Sequence, residues 1–401
     1  MKIIKGSICT PKGFLAAGVH AGIKKKTHKK DIALIYSQKL AAAAGVTTVN
    51  LMKAAPVILT EKFLTSGYLQ AIIVNSGNAN ACTGDKGMQD AETMAATTAA
   101  TLNILPDAVA VASTGVIGVP LPIEKVIAGI KNATQHLSTH DEDAANAILT
   151  TDTFVKTCAV ACEINGKTVH IGGIAKGSGM IHPMMATMLA FMTTDLAIAP
   201  AVLRSALIEA NEDSFHMITV DGDTSTNDML LVLANGMAEN PEISTTTSAA
   251  YQTFTAALKF VCIELAKKIV QDGEGATKLI EMNVTGAANK AQARQAARAV
   301  CRSSLVKSAV FGEDANWGRV ASALGTAGVE LDPNKLTVAL DHLVLLENGV
   351  PLPFDEAIAS EILKEKNIIF NADLGVGTAT ATAWGCDLTY DYVKINASYR
   401  S

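Results

Sequence analysis

The sequence predicts an α/β fold of two lobes, each a mixed β-sheet layered with helices, and three features carry that expectation. At 401 residues the chain is too long for one small hydrophobic core. In its first third, short apolar runs of strand character alternate with segments of helical character, the pattern that builds layered sheets. At its centre no charged residue lies between Lys176 and Asp195. Glycines open that stretch, and an apolar run, Met188-Leu189-Ala190-Phe191, closes it as a buried strand.

Asp31–Ser37, Gly45–Asn50 and Leu69–Ser76 read as strands, the last through Ala71-Ile72-Ile73-Val74. Asp85–Leu105 begins with an acidic residue and stops before Pro106, which suits a helix. Ala108–Ser113 is a further apolar strand that runs into a glycine-punctuated turn, Thr114-Gly115-Val116-Ile117-Gly118. Helices are expected over 122–132 and 141–149. Phe154–Glu163 and Lys167–Ile174 form a hairpin around Asn165-Gly166, a pair suited to positive φ. Pro200–Asp213 has proline in its first turn, where the missing N–H is harmless. In Tyr251–Val270 the residues Phe254, Leu258, Val261, Leu265 and Ile269 line one helical face. Ala288–Lys307 reads as a second long helix, and strands follow at 336–340, 367–372 and 378–383. No repeat and no low-complexity linker divides the chain.

Composition narrows the function classes. The chain is 49% hydrophobic and 18% charged with a net charge of −5, which gives no footprint for nucleic acid. The basic cluster Lys24–Lys30 lacks interleaved aromatics and reads as a solvated loop before a strand. Seven scattered cysteines fit buried thiols in a reducing compartment better than disulfides or zinc ligands. The amino terminus has no apolar signal core. The uncharged span Gly177–Thr194 has the length of a membrane helix, but His182, Pro183, its glycines and its hydroxyl residues argue against one. A cytoplasmic protein with no membrane partner is expected.

Several constellations fail on spacing. Asp221–Asp228 resembles a calcium loop, yet its sixth and twelfth positions hold Thr226 and Val232 instead of glycine and glutamate. A polar turn fits better, and no metal is expected. Gly177-Ser178-Gly179 lacks both the third spaced glycine of a dinucleotide fingerprint and the lysine of a P-loop. Ser178 is not in a G-x-S-x-G elbow. His182, alone beside an apolar run, suits a structural hydrogen bond.

Thr187 remains. A threonine hydroxyl is a weak nucleophile without an adjacent base, and its own α-amino group is one such base when the threonine begins a chain. That amine titrates at about 7.7–8.0, so roughly a tenth is unprotonated at neutral pH, against well under a thousandth of a lysine near 10.4. Cutting Ala186–Thr187 would create nucleophile and base together. On the residues alone, an Ala-Thr step in an apolar run is ordinarily just strand.

The run Lys176–Phe191, with Met185-Ala186-Thr187-Met188-Leu189 inside it, resembles the ornithine acetyltransferase (glutamate N-acetyltransferase) family of arginine biosynthesis. So do Pro11–Phe14, Val74–Gly84, Ser113–Gly118, Thr150–Thr153, Val220–Asp228, Asp272–Lys278, Glu313–Arg319, Ala383–Leu388 and the closing Ile395–Ser401. These blocks run in order from end to end.

The resemblance implies a self-cleaved acetyltransferase of aminopeptidase-like sandwich architecture. Its precursor cuts itself before Thr187 into an α subunit, 1–186, and a β subunit, 187–401. Thr187 takes acetyl from N-acetylornithine and passes it to glutamate. Thr114 and Gly115 match the oxyanion pair, one through a hydroxyl and the other through a backbone N–H. Thr150, Lys176, Thr187, Glu274, Asn396 and Ser401 fall at substrate-binding positions. Lys176 suits the α-carboxylate that both substrates carry, and Glu274 suits an amino group of ornithine. Read without the resemblance, Thr114-Gly115 is an ordinary turn, and Lys176 and Glu274 are solvated surface charges. The family expectation includes no cofactor, acetyl-CoA open as a second acetyl donor, and an α2β2 heterotetramer of the two fragments. Leu51, Val376 and Ser398 depart from the family's usual residues. A self-processing aminopeptidase or amidase of related architecture is the alternative, and an uncut, non-enzymatic ligand-binding protein is a second.

Overall fold

The computed structural model describes residues 1–24, 28–182 and 188–398. The chain forms two compact units interleaved in sequence. One comprises Met1–Gly177, Met184–Ser214 and Thr224–Ala266; the other comprises Ser178–Pro183, Phe215–Asp223 and Lys267–Ser401. Each has its own mixed sheet with helices, which is the expected α/β class.

The first unit carries a sheet of nine described strands. In spatial order they are Lys2–Ile4, Lys156–Ile164, Lys167–Lys176, Leu189–Thr194, Met229–Ala234, Ile32–Thr47, Tyr68–Asn78 and Val109–Val116, with Phe14–Val19 also paired to Ile32–Thr47. Its central strands are apolar without alternation because both faces are covered. Ala33, Ile35, Ile72, Val74, Ala110 and Ala112 face one core, which also holds Ala144, Ala145 and Ala147 of the short helix Glu142–Ala147. Their neighbours Ile32, Leu34, Ala71, Ile73, Val109 and Val111 face the other core. There they meet Met94 and Ala95 of the helix Gly84–Leu102 and Val126 and Ile130 of Ile123–Gln135. This two-residue periodicity sorts one strand's side chains into two cores. Leu189–Thr194, the expected buried strand, is buried at every position and pairs antiparallel with Lys167–Lys176 and parallel with Met229–Ala234.

The second unit holds the sheet Val350–Pro351, Leu343–Glu347, Thr337–Leu340, Asn367–Asp373, Leu279–Ala287 and Ala379–Cys386. The helix Lys290–Arg302 lies on it, burying Ala293, Ala296, Ala297 and Val300. The approach is close: a Cβ on Gly385 would stand 3.0 Å from the Cys301 carbonyl oxygen.

Several sequence expectations need correction. Asp31–Ser37 and Gly45–Asn50 belong to one sixteen-residue strand, Ile32–Thr47, whose register with Tyr68–Asn78 shifts between Tyr36 and Ala41. That irregularity lets its second half pair with Met229–Ala234. The helix expected over Ala288–Lys307 is two helices, Lys290–Arg302 and Ser304–Phe311. Ser303 between them is extended, and its hydroxyl accepts the Val306 N–H as an N-cap. Thr114-Gly115-Val116 continues the strand instead of turning. Lys24 is half-buried and donates to the Lys30 carbonyl at 2.6 Å, so the basic cluster is not wholly solvated; Lys25–Thr27 lie outside the described residues. No disulfide joins the seven cysteines, and five are buried, whereas Cys9 is half-buried and Cys82 exposed. The hairpin at Asn165-Gly166 forms as expected, with both residues at positive φ. No helix among the described residues is long and apolar enough to cross a membrane.

Candidate active site

Ala186, Thr187 and Ser401 lie outside the described residues. The other expected site residues fall into two groups, one in each unit.

The first group is built on two parallel strands. Tyr68–Asn78 and Val109–Val116 run side by side with Ser76 opposite Thr114 and Gly77 opposite Gly115. Gly115 sits at φ 136°, and a Cβ there would lie 2.4 Å from the Gly77 carbonyl carbon, so no other residue fits. A buried polar network holds this crossing. Ser113 donates its hydroxyl to Asn75 Oδ1 at 2.5 Å, and Asn75 Nδ2 donates to the Asn78 carbonyl at 2.9 Å. Asn227 Nδ2 donates to the carbonyls of Ala79 (2.6 Å) and Ser113 (2.9 Å). Such networks are fully paired because an orphaned buried polar group is expensive, and pairing also fixes geometry.

Thr114, buried, meets Lys176, the last residue of the strand Lys167–Lys176. Lys176 Nζ donates to Thr150 Oγ1 at 2.7 Å and to Thr114 Oγ1 at 3.4 Å. Only 2% of Lys176 is exposed, which removes its reading as a surface charge. Asp152 makes that burial tolerable. Its Oδ2 stands 3.8 Å from Lys176 Nζ and accepts the Thr150 N–H at 2.9 Å. Its Oδ1 accepts from Lys156 Nζ at 2.8 Å and from the Gly177 N–H at 2.7 Å. Burial alone would raise the Asp152 pKa, but the Lys176 and Lys156 charges and these hydrogen bonds hold it well below the ordinary carboxylate range. Asp152 and Lys156 were not singled out from the sequence as functional. Their i,i+4 spacing was the available signal, and it was hidden because both fall in an irregular approach to a strand.

Two outcomes follow from this pair. Lys156→Met strands a fully buried carboxylate beside one remaining, more distant cation, and removing one member of a buried pair costs about 3–5 kcal/mol. A large fall in Tm in thermal denaturation checks it. Because the folded pKa of Asp152 is depressed, its contribution to stability is complete above the unfolded value of about 3.9 and is lost as pH falls below it. The Asp152→Asn variant should therefore lose the part of the acid-side slope that this carboxylate contributes in a Tm-against-pH series.

Lys24 borders the same strands, with its side chain against Gly77. Burial, and secondarily the Lys176 charge, lower its pKa to about 8 against the opposing pull of Asp31.

The second group lies in the other unit. Glu274 is buried, and the Asn396 side-chain amide donates to its Oε2 at 2.8 Å. The Glu274 N–H donates to the Ser178 carbonyl at 2.9 Å, and the Ser178 hydroxyl donates to the Asp272 carbonyl at 2.6 Å. Gly275, at φ 71°, allows the helix Tyr390–Ala397 to press on this turn, since a Cβ would meet the Tyr392 nitrogen at 2.7 Å. Glu274 is thus a held carboxylate and not a solvated one. A Cβ on Gly179 would fall 2.3 Å from Glu274 Oε2. Gly179→Ala should fold normally, because only a side-chain tip must move, while displacing the Glu274 carboxylate from its place.

His182 acts as the structural residue expected, with Nδ1 3.3 Å from the Thr219 hydroxyl. Burial and then the Arg302 and Arg298 charges lower its pKa to about 4, so it is neutral near pH 7. The 221–228 segment works through its two end carboxylates. Asp221 accepts the N–H groups of Met180 (2.6 Å) and Ile181 (2.9 Å) within the second unit. Asp228 accepts the Met188 N–H at 2.9 Å within the first. Of the residues that depart from the family pattern, Leu51 is almost fully exposed, Val376 is exposed in its glycine turn, and the Ser398 hydroxyl donates to the Lys394 carbonyl. Among the described residues no group of three or more His, Cys, Asp or Glu is placed to hold a metal.

The model of the ArgJ family matches residues 15–401. The arginine biosynthesis bifunctional protein ArgJ of Symbiobacterium thermophilum is 59% identical over 403 residues, covering 100% of each chain. The protein of the same name from Caldanaerobacter subterraneus subsp. tengcongensis is 52% identical over 406 residues, again covering 100% of each. A crystal structure of the arginine biosynthesis bifunctional protein argJ from Bacillus halodurans matches at 46% identity and a TM-score of 0.50, covering 52% of this chain and 97% of that one.

Proposed function

Since the chain belongs to the ArgJ family, we infer that it is an acetyl-transferring enzyme of arginine biosynthesis working through an acetyl-Thr187 intermediate. The observation that carries this reading is the hydrogen-bonded assembly of buried Thr114 and Lys176 with half-buried Thr150, next to Gly115, on a chain that aligns over its full length with bifunctional relatives. The aminopeptidase or amidase alternative is not favoured by that alignment.

The precursor first cuts itself. The Thr187 hydroxyl adds to the Ala186 carbonyl, the C–N bond breaks, and the hydroxyl proton ends on the Thr187 nitrogen. Water then hydrolyses the resulting ester, leaving fragments 1–186 and 187–401. The solved Bacillus halodurans chain supports this, being almost fully covered by a match to only 52% of the present chain, the length one product of such a cut would have.

The freed α-amino group takes the proton of the Thr187 hydroxyl as that oxygen attacks the acetyl carbonyl of N-acetylornithine. The oxyanion that forms is stabilised by the Thr114 hydroxyl and the Gly115 N–H. Collapse expels ornithine, which leaves with a proton, and the acetyl ester remains on Thr187. The glutamate amine then attacks the ester, N-acetylglutamate leaves, and the hydroxyl is restored. No cofactor is needed, since acetyl moves directly between amino acids, and acetyl-CoA serves as a second donor. Lys176, held by the Thr150 and Thr114 hydroxyls, is the cation that suits the α-carboxylate shared by both substrates. Glu274, with Asn396 fixing its oxygen, takes an amino group of ornithine, and Ser401 completes the substrate contacts. The two fragments stay together as a cytoplasmic α2β2 assembly.

The test pairs two donors. Purified protein is incubated with glutamate and either N-acetylornithine or acetyl-CoA, and N-acetylglutamate is measured. Product in both arms is expected. Product in neither, or acetate without N-acetylglutamate, overturns the reading. In the same assay Gly179→Ala raises KM for N-acetylornithine more than it lowers kcat.

A further inference from the structure

We propose that Asp228 is the positioning residue of the self-cleavage, fixing the backbone immediately after Thr187 through the Met188 N–H. The inference deepens the reading above and rests on it.

Four observations point to Asp228. It is completely buried, and its Oδ1 accepts the Met188 N–H at 2.9 Å. Met188 is the residue next to the threonine whose hydroxyl must approach the Ala186 carbonyl. Its Oδ2 is equally buried. The chain on both sides of Asp228 is pinned. The Thr48 N–H donates to the Asp228 carbonyl at 3.1 Å, and the Met229 N–H donates to the Met188 carbonyl at 3.1 Å. From Met229 onward this strand runs in parallel register with Leu189 onward. Asp228 therefore sits where a rigid ladder ends and the segment to be cut begins. Burial raises its pKa well above the ordinary value, against the opposing pull of the hydrogen bond from the Met188 N–H.

In the precursor the cleavage step needs the Thr187 hydroxyl held against the preceding carbonyl, and an error of about 1 Å in such an approach costs about a hundredfold in rate. Asp228 supplies that constraint from the downstream side.

The experiment follows cleavage of the full chain after cell-free synthesis, with fragment yield read on denaturing gels over time. Asp228→Asn keeps an acceptor and a donor in the same shape, and should cut within about threefold of the wild-type rate. Asp228→Ala removes both and should slow cleavage about a hundredfold. Asp90→Ala, which removes another buried carboxylate, controls for loss of stability alone and should cut at the wild-type rate. Circular dichroism reports whether each variant is folded. A folded Asp228→Ala precursor that cuts as fast as wild type overturns the proposal. So does an Asp228→Asn precursor slowed about as much as expected for alanine, and this second test holds even if the alanine variant does not fold. A wild-type chain that stays whole overturns the self-cleavage reading itself, an outcome separate from either of these.

Discussion

Thr187→Ala leaves one uncut chain at the full 41.8 kDa on a denaturing gel, with no transferase activity toward either acetyl donor. Both losses have one origin. Without the hydroxyl nothing attacks the Ala186 carbonyl, so the α-amino group that would serve as base is never released. Thr187→Ser should retain the cut and part of the activity, because hydroxyl and amine both persist. Measurable transfer by the alanine variant would place the nucleophile on another residue.

Thr114→Val lowers kcat by about 10²–10³-fold while leaving KM nearly unchanged. Valine keeps the shape of this buried side chain and deletes only the hydroxyl, so the crossing of the Thr114 and Ser76 strands stays intact. In the proposed mechanism the hydroxyl is used when negative charge develops on the acetyl oxygen, which would make its loss a transition-state effect. Lys176 loses only its longer contact, 3.4 Å to the Thr114 hydroxyl, and keeps the 2.7 Å bond to Thr150 that holds it for ground-state binding. Steady-state kinetics with N-acetylornithine and glutamate check the split. A large KM change with unaltered kcat would assign Thr114 to binding instead.

Much of the fold was legible because it rests on local pattern. Ala71-Ile72-Ile73-Val74 announced a strand, and Asn165-Gly166 announced its hairpin, since apolar continuity and positive φ are readable from neighbouring residues. The break at Ser303 was harder. Alanine and arginine before it, and leucine, lysine and alanine after it, favour helix, and only the capping hydroxyl separates the two segments. Met229–Ala234, six apolar residues beside the polar 221–228 stretch, is a strand not expected from the sequence. The site was less legible still. Lys176 and Glu274 look like surface charges by residue type, and their burial depends on partners far away in sequence or on packing that no local window contains. Asp152 pairs Lys176 from 24 residues upstream, and Asn396 meets Glu274 from 122 residues downstream. The need for glycine at 115 is likewise written in Gly77, on another strand. Ordered blocks resembling a family pointed to these residues, and the structure supplies physical reasons for the ones it describes.

The central claim is that acetyl rests on Thr187 between donor and acceptor. Intact-mass analysis of the processed protein, mixed with N-acetylornithine and no glutamate, tests it directly. One acetyl group should appear on the 187–401 fragment, map by peptide sequencing to the Thr-Met-Leu-Ala-Phe terminus, and disappear when glutamate is added. A protein that makes N-acetylglutamate yet never carries acetyl on that fragment would contradict the account.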